Sequence, residues 1–489
     1  MNTAYQPDAG VSATQRRPVL AYLTTAGLLL LLMMVVGVLL RMSQAEILVM
    51  SPDWFYRFMT LHGAGMVGMA GLAGAGIMLY FLGRHVSLST RVAWINLVFF
   101  VVGVVLILVG ITVGDYAGAW TFLYPLPRQS MGVWTTWGAA AFLGGLLLIG
   151  VGFLLLHLDT GRAILSRYKG LGRALGWPQL FGPSQADAPP PAVVASTMVL
   201  IVNTLALILG ASIIVVNLIS LFAPEMRFDP LVAKNLTYFF GHVFINATIY
   251  MSVIAVYELL PRYTGRDWPS NNRAFLGAWT VSTLMVLGAF PHHLLMDFVQ
   301  PVWISVAGQI VSYISGLPVL VVTAYGALVN VHRSGIRWDL PSGLLFLSTF
   351  GWAAGIVPAM IDATISVNMV MHNTLWVPGH FHFYLLLGMC AMALGFMLWF
   401  VRAWGGAKPI RWECVWFWVY ALGCLSFVTM FLLGGRSGVP RRFAAHQAAW
   451  LPLDKIASVC GLVILLSVSL FVTRFVLAAR SAARGSGQA

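Results

Sequence analysis

Long apolar stretches alternate with short polar segments along the whole chain. Each stretch has about 20 residues or more, the length that an α-helix needs to cross a hydrocarbon core of about 30 Å. This pattern predicts an all-α membrane protein, a bundle of twelve transmembrane helices over residues 18–40, 55–82, 91–114, 131–157, 192–222, 233–260, 272–290, 300–330, 338–365, 372–402, 411–434 and 450–477.

Composition and charge agree with this pattern. Hydrophobic residues make up 59% of the chain and charged residues 9%, whereas soluble domains carry about 25% charged residues. The net charge of +13 would suit a nucleic-acid partner only if it formed one patch, but the basic residues lie in loops between apolar runs. Most fall on the side that also holds both termini. The positive-inside rule therefore predicts cytoplasmic termini in a bacterial inner membrane, with lipid and not nucleic acid as the partner.

A single membrane domain over residues 1–489 explains the pattern, since apolar runs continue on both sides of the longest loop. That loop, about 158–191, is predicted on the cytoplasmic side, and its proline-rich end is interpreted as flexible or partly extended. The first apolar run is longer than the core of a cleaved signal peptide, so we interpret it as a retained helix. The four cysteines are scattered in apolar helices, which favours small core residues over disulfides.

Eleven histidines supply the candidate chemistry. Four lie in or near predicted loops and are interpreted as solvated or interfacial, namely His85, His157, His332 and His446. Seven fall toward the outer ends of the helices, namely His62, His242, His292, His293, His372, His380 and His382. An ionisable group inside a membrane is costly and is by default a candidate for function. Seven such groups at one depth are poorly explained as core residues.

The spacing of His380 and His382 indicates two separate sites. On a helix these residues project about 200° apart with only about 3 Å of rise, so one helix can ligate two metals at the same depth. His62, on another helix, would complete a bis-histidine low-spin heme with His382. His380 would then be the only protein ligand of a second, high-spin heme, whose open axial position permits small-ligand chemistry.

The remaining trio, His242, His292 and His293, offers three imidazole nitrogens to one ion. Three histidines without a nearby carboxylate favour copper over non-heme iron, which commonly adds Asp or Glu. Zinc also accepts three imidazoles but would be redox-inert beside a heme.

Taken together, these motifs resemble the catalytic subunit of the heme-copper oxidase superfamily over nearly the full length of the chain. The matching segments are Leu61-His62-Gly63, 120–125, Gly241-His242, His292-His293, 372–382 and Val439-Pro440-Arg441-Arg442. The segment that ends in Pro378-Gly379-His380-Phe381-His382 is most similar to the B family of oxygen reductases.

This resemblance implies cofactors and partners as well as a fold. It implies a low-spin heme on His62 and His382, a high-spin heme on His380, copper on His242, His292 and His293, and heme propionates near Arg441, Arg442 and His372. The chain carries no soluble copper or heme c domain of its own. We therefore expect an electron-transfer subunit II with a CuA centre or heme c, and a cytochrome c or small copper protein as donor.

The sequence departs from the family pattern one turn after His242. Oxygen reductases of this family normally have Gly-His-Pro-x-x-Tyr, whereas this chain has Val243 in place of the proline and Asn246 in place of the tyrosine. The i, i+4 spacing puts Asn246 on the same helix face as His242, beside the metals.

The missing tyrosine changes the expected substrate. In the family, cleavage of O–O uses four electrons, one of which comes from that tyrosine, but joining two NO molecules into N2O and water uses only two electrons and two protons. The chain is similar to a nitric oxide reductase branch derived from oxidases. Our leading hypothesis is therefore nitric oxide reduction, with Asn246 hydrogen-bonding an N-oxide or a relay water. Asn246 as a mere polar core residue remains open, as do a divergent B-family cytochrome c oxidase and, less favoured, a non-redox polytopic transporter.

Candidate proton-path residues are few. Tyr257 stands where B-family enzymes have a channel tyrosine, and Glu258 follows it near the cytoplasmic end of the sixth helix. Asp297 follows the histidine pair and would serve a path from the outer side. Glu258 is equally explained as a boundary charge, and Asp297 as the partner of an arginine or of surface water.

Overall fold

The structure is a computed structural model that describes residues 3–8, 11–182, 188–270 and 272–484. Within these residues, twelve helices are long and apolar enough to cross a membrane, which confirms the predicted all-α bundle. In chain order they are α1 (Ala13–Gln44), α2 (Pro52–Leu82), α3 (Thr90–Thr112), α4 (Thr136–Tyr168), α5 (Pro191–Phe222), α6 (Pro230–Thr264), α7 (Arg273–Leu294), α8 (Val302–Val331), α9 (Leu340–Asp362), α10 (Trp376–Gly405), α11 (Glu413–Arg436) and α12 (Leu451–Ala483).

Local sequence sets several of the helix starts. Before α2, the Ser51 hydroxyl accepts a hydrogen bond from the Trp54 N–H, and Pro52 occupies the first turn, where its missing N–H costs nothing. Asp229 caps α6 in the same way, again with a proline directly after it. These caps place the helix ends close to the predicted boundaries.

The loop predicted over 158–191 is wrong in its first part. Helix α4 continues to Tyr168, and two short helices follow at Leu171–Ala174 and Trp177–Phe181. The proline-rich end predicted as flexible lies partly outside the described residues, at 183–187. Helix α4 therefore runs about three turns further than its apolar pattern indicated, because polar residues continue the helix beyond its apolar part.

The core of the bundle is formed by α2, α6 and α10. In their most apolar windows 83%, 83% and 94% of residues are buried, against 33% in α3 and α8. Helices that are apolar on all sides and packed on all sides occupy the centre of a bundle. These three helices carry His62, His242, His380 and His382, so the histidines lie at the centre of the protein and not at its lipid surface.

Two central helices are irregular beside their histidines. Helix α7 ends in a 3-10 turn, Phe290–Leu294, which contains the histidine pair. In α10 a π-helical segment, Phe383–Cys390, begins directly after His382. Single π-helical turns within α-helices often mark functional sites.

Two of the four histidines interpreted as solvated or interfacial are in fact buried. His157 lies inside α4, where its ring contacts the Phe153 carbonyl oxygen (2.8 Å) and the Asn203 amide (3.0 Å). His446 is 2.7 Å from Asp454, which also pairs with Arg41 at 2.8 Å. The prediction failed because α4 is longer than expected and because the segment before α12 folds back into the bundle.

Candidate metal and heme centre

His62 and His382 face each other across a cavity of about 180 Å³. Their rings are nearly parallel, at 13°, with centroids 6.2 Å apart. Two imidazoles that ligate one ion through bonds of about 2 Å have centroids about 6 Å apart, so the pair fits a bis-histidine heme iron.

Backbone carbonyls fix the orientation of both rings. Nδ1 of His62 lies 2.8 Å from the Met33 carbonyl oxygen, and Nδ1 of His382 lies 2.6 Å from that of Pro378. A carbonyl oxygen only accepts, so each Nδ1 carries the ring proton and each Nε2 is left for a metal.

His380 lines a different cavity, of about 380 Å³, together with the trio His242, His292 and His293. One ligand atom from each member of the trio lies within 4.8 Å of the others. Nδ1 of His242 is 3.3 Å from Nε2 of His293. This convergence fits a single ion held by three imidazoles, and His380 on the same cavity fits a heme iron opposite that ion.

The orientation of His292 is set by its neighbours. Its Nδ1 lies 2.6 Å from the Ala289 carbonyl oxygen and 2.8 Å from the Ser312 hydroxyl. Nδ1 is therefore a donor, and Nε2 is the atom available to a metal. Ser312 comes from α8, so this contact also ties the histidine turn to the next helix.

Asn246 lies beside His242, as the i, i+4 spacing predicted. Its Nδ2 donates to the His242 carbonyl oxygen at 2.8 Å and lies 3.3 Å from Nε2 of the His242 ring. Asn246 also lines the larger cavity. In the described part of the chain, the ring of His242 packs against the other two histidines of the trio and against no tyrosine ring.

Sequence reasoning missed Tyr238, one turn before His242. Its ring stacks on His293 with centroids 5.6 Å apart and an angle of 20°. The i−4 spacing from His242 was the signal that could have found it. Tyr250, two turns after His242, also lines the cavity, but its ring packs on Trp279 and Trp352.

Arg441, Arg442 and His372 also line this cavity. The Arg441 N–H donates to the Asn373 carbonyl oxygen, which ties the arginine loop to the segment before α10. Nε of Arg441 and Nδ1 of His372 are buried and have no hydrogen-bond partner.

The charges of this group favour an anion. Burial and the neighbouring Arg442 lower the pKa of Arg441 to about 10. Burial and the two arginines lower the pKa of His372 to about 4. A carboxylate beside the arginines would relieve their repulsion and satisfy the free donors, which fits heme propionates.

The three candidate proton-path residues lie apart, each with its own partner. The Tyr257 hydroxyl is 2.6 Å from Thr323, and both side chains are buried. Glu258 forms an ion pair with Arg84 (3.0 Å), whereas Asp297 pairs with Lys234 (2.8 Å) and not with the arginine considered from sequence.

Comparison with known proteins places this arrangement in a family. Residues 17–463 match the family model described as cytochrome c and quinol oxidase polypeptide I. The chain is 25% identical over 269 residues to cytochrome c oxidase subunit 1 of Thermus thermophilus, covering 50% of this chain and 47% of that protein. It is also 25% identical over 235 residues to cytochrome c oxidase polypeptide 1 of Halobacterium salinarum, covering 47% of this chain and 39% of that protein. These matches span less than half the length of each relative.

A solved structure shares the fold. A heme-copper terminal oxidase dimer determined by cryo-EM matches with a TM-score of 0.78 and 20% sequence identity, covering 96% of this chain and 84% of that one. Members of the matched family bind a low-spin heme, a high-spin heme and copper, and the histidine geometry fits all three. The chain, a multi-pass membrane protein, therefore belongs to the cytochrome c and quinol oxidase polypeptide I family, within the heme-copper oxidase superfamily.

Proposed function

We propose that this chain is the catalytic subunit of a nitric oxide reductase, which converts 2 NO, two electrons and two protons into N2O and water. The observation that carries the proposal is Asn246 against His242, in the place where an oxygen reductase needs a tyrosine. An amide has no titratable proton and is not oxidised to a radical, so it cannot supply the fourth electron for O–O cleavage. Nitric oxide reduction needs no such electron.

The geometry of the two cavities supports the proposed ligand roles. His62 and His382 would hold the low-spin heme, His380 the high-spin heme, His242, His292 and His293 the copper, and Arg441, Arg442 and His372 the propionates. When bound, the hemes and copper supply the electron transfer and the binding of a diatomic substrate.

The side chains around the metals would order the substrate and the protons. Asn246 donates one N–H to the His242 carbonyl oxygen, so the rest of its amide is available to a bound nitrogen oxide or a relay water. The Tyr257–Thr323 pair would serve protons from the inner side. Asp297 would serve them from the outer side, and Glu258 is best explained as a boundary ion pair.

Delivery of electrons to the low-spin heme requires a partner subunit, which is part of the proposal. A subunit II with a CuA centre or heme c would pass electrons from a cytochrome c or a small copper protein to the low-spin heme. In the inner membrane, with both termini cytoplasmic, the histidine level lies near the outer face, where such a donor docks.

A divergent cytochrome c oxidase is the second candidate, and two observations favour it. The matched relatives are named cytochrome c oxidase subunit 1 or polypeptide 1. In addition, the Tyr238 ring stacks on His293 and places a phenol beside the trio. Family membership, by contrast, leaves the transporter hypothesis without support.

The test is to assay the purified complex with NO and with O2 under the same reducing donor, alongside elemental analysis for copper and iron. We expect N2O formation with slow O2 consumption. Rapid O2 turnover with negligible N2O would overturn the proposal and establish the second candidate.

An Asn246 variant tests the residue itself. We expect Asn246→Leu to keep its metals but to lower the NO rate by about 10- to 100-fold, since a hydrogen bond to a charged group contributes about 1.5–3 kcal/mol. Asn217 makes the same bond one turn back in α5, from its Nδ2 to the Ile213 carbonyl oxygen (2.8 Å). Asn217→Leu is the matched control and should leave the NO rate unchanged. Equal losses in both variants would assign Asn246 to packing alone.

A further inference from the structure

The ring of His380 is supported differently from the other candidate ligands. Its Nδ1 is buried and has no hydrogen-bond partner. Nδ1 of His62, His382 and His292 each lies within 2.8 Å of a backbone carbonyl oxygen. The nearest acidic group to Nδ1 of His380 is the Asp362 carboxylate, whose Oδ2 lies 3.9 Å away.

Asp362 is the last residue of α9, and its side chain is only 8% exposed. Asn368 holds it from one side, since its Nδ2 donates to the Asp362 carbonyl oxygen at 2.7 Å and to Oδ1 at 3.3 Å. Oδ1 is thereby occupied, and Oδ2 is the oxygen that faces His380. Burying a carboxylate with too few hydrogen-bond donors costs free energy. The Asp362 carboxylate therefore needs a second donor.

We infer that Asp362 is a positioning residue that accepts the Nδ1 proton of His380 and makes this histidine a more electron-rich ligand. The inference rests on the proposed role of His380 in holding the high-spin heme. When Nε2 binds iron, the ring proton must be on Nδ1, which then needs an acceptor. Carboxylates in this position fix the ring and raise its basicity. A gap of 3.9 Å is closed by one bridging water or by a small side-chain rotation.

Arg441 is the competing partner of Asp362. The carboxylate raises the pKa of Arg441 against the effects of burial and of Arg442. A carboxylate that served only this arginine would leave the iron–histidine bond unaffected. A spectroscopic measurement of that bond therefore separates the two roles.

The test uses the intact reduced enzyme and the iron–histidine stretching frequency of its high-spin heme, measured by resonance Raman spectroscopy. We expect Asp362→Asn to lower this frequency and to shift the midpoint potential of the high-spin heme upward, because an anionic partner stabilises oxidised iron. Asp362→Glu retains the carboxylate and should restore part of both values. Asp159→Asn neutralises a different buried carboxylate, which pairs with Arg162, and should change neither.

The outcomes distinguish this inference from the proposed role of His380 as the ligand of the high-spin heme. A wild-type enzyme with no histidine-ligated high-spin heme would overturn the role of His380 and the inference with it. A normal wild-type signal that Asp362→Asn and Asp362→Glu both leave unchanged would overturn the inference alone. If Asp362→Asn does not fold, Asn368→Leu removes the donors that hold the carboxylate and should still shift the frequency; no shift would count against the inference.

Discussion

Helix α10 presents His382 to one cavity and His380 to another, and the two cavities are built differently. On the first side two parallel rings face each other, and backbone carbonyls hold both. On the second side the ring of His380 has no backbone acceptor, and polar side chains line a cavity about twice as large.

This difference in structure suits two different functions. A closed bis-histidine site with rigid ligands suits electron transfer, since neither ligand needs to move. A roomier site, with the Asn246 amide beside the three histidines, suits the binding of a small substrate. Two residues on one helix separate these tasks because a helix turns by about 200° between them.

The largest expected effect comes from removing one ligand on each side. We expect His62→Ala to lose the low-spin heme spectrum and His380→Ala to lose the high-spin one, each with the other heme retained. Turnover should fall more than about 100-fold in both variants. Replacing a residue that only hydrogen-bonds to a metal ligand already lowers metal affinity or activity by about 10- to 100-fold. Optical spectra of the reduced enzymes, with and without carbon monoxide, check the assignment. Loss of the same heme in both variants would show that the two sides are not separate.

A smaller effect is expected from a substitution that narrows only the cavity between His62 and His382. A Cβ on Gly37 would lie 2.7 Å from Cε1 of His62. We expect Gly37→Ala to displace that ring, to shift the low-spin spectrum and to cost about 1–3 kcal/mol of stability, as overpacking typically does.

The control for Gly37→Ala is Gly144→Ala in α4, where an added Cβ meets nothing within 4 Å. Thermal unfolding and the low-spin absorption band should both remain unchanged in the control. If the high-spin band shifts in Gly37→Ala and the low-spin band does not, the assignment of the two cavities is reversed.

The smallest effect is expected at the buried pair of Tyr257 and Thr323. Tyr257→Phe removes the hydroxyl that contacts Thr323, a hydrogen bond with a net contribution of about 0.5–1.5 kcal/mol. If protons reach the site through this pair, turnover should fall about 3- to 10-fold. Tyr22→Phe removes another buried hydroxyl, which donates to the Ala93 carbonyl oxygen, and serves as the control. Equal rates in the two variants would assign the protons to another route.

Sequence predicted the twelve helices because a chain in lipid must satisfy its backbone within each span, which leaves a long apolar run as the signature. It also predicted which histidines share a depth and that His380 and His382 diverge, since helical geometry alone sets those relations. Asn246 beside His242 follows from the same local rule.

Tertiary structure decided the contacts between residues far apart in sequence. Asp362 lies near His380 only because the chain between α9 and α10 brings the end of one helix beside the start of the other. Tyr238 stacks on His293 only because α6 packs against the end of α7. The burial of His446 depends on Asp454 and Arg41. A periodic pattern fixes which residues share a helix face, but the packing of one helix against another determines which of them meet.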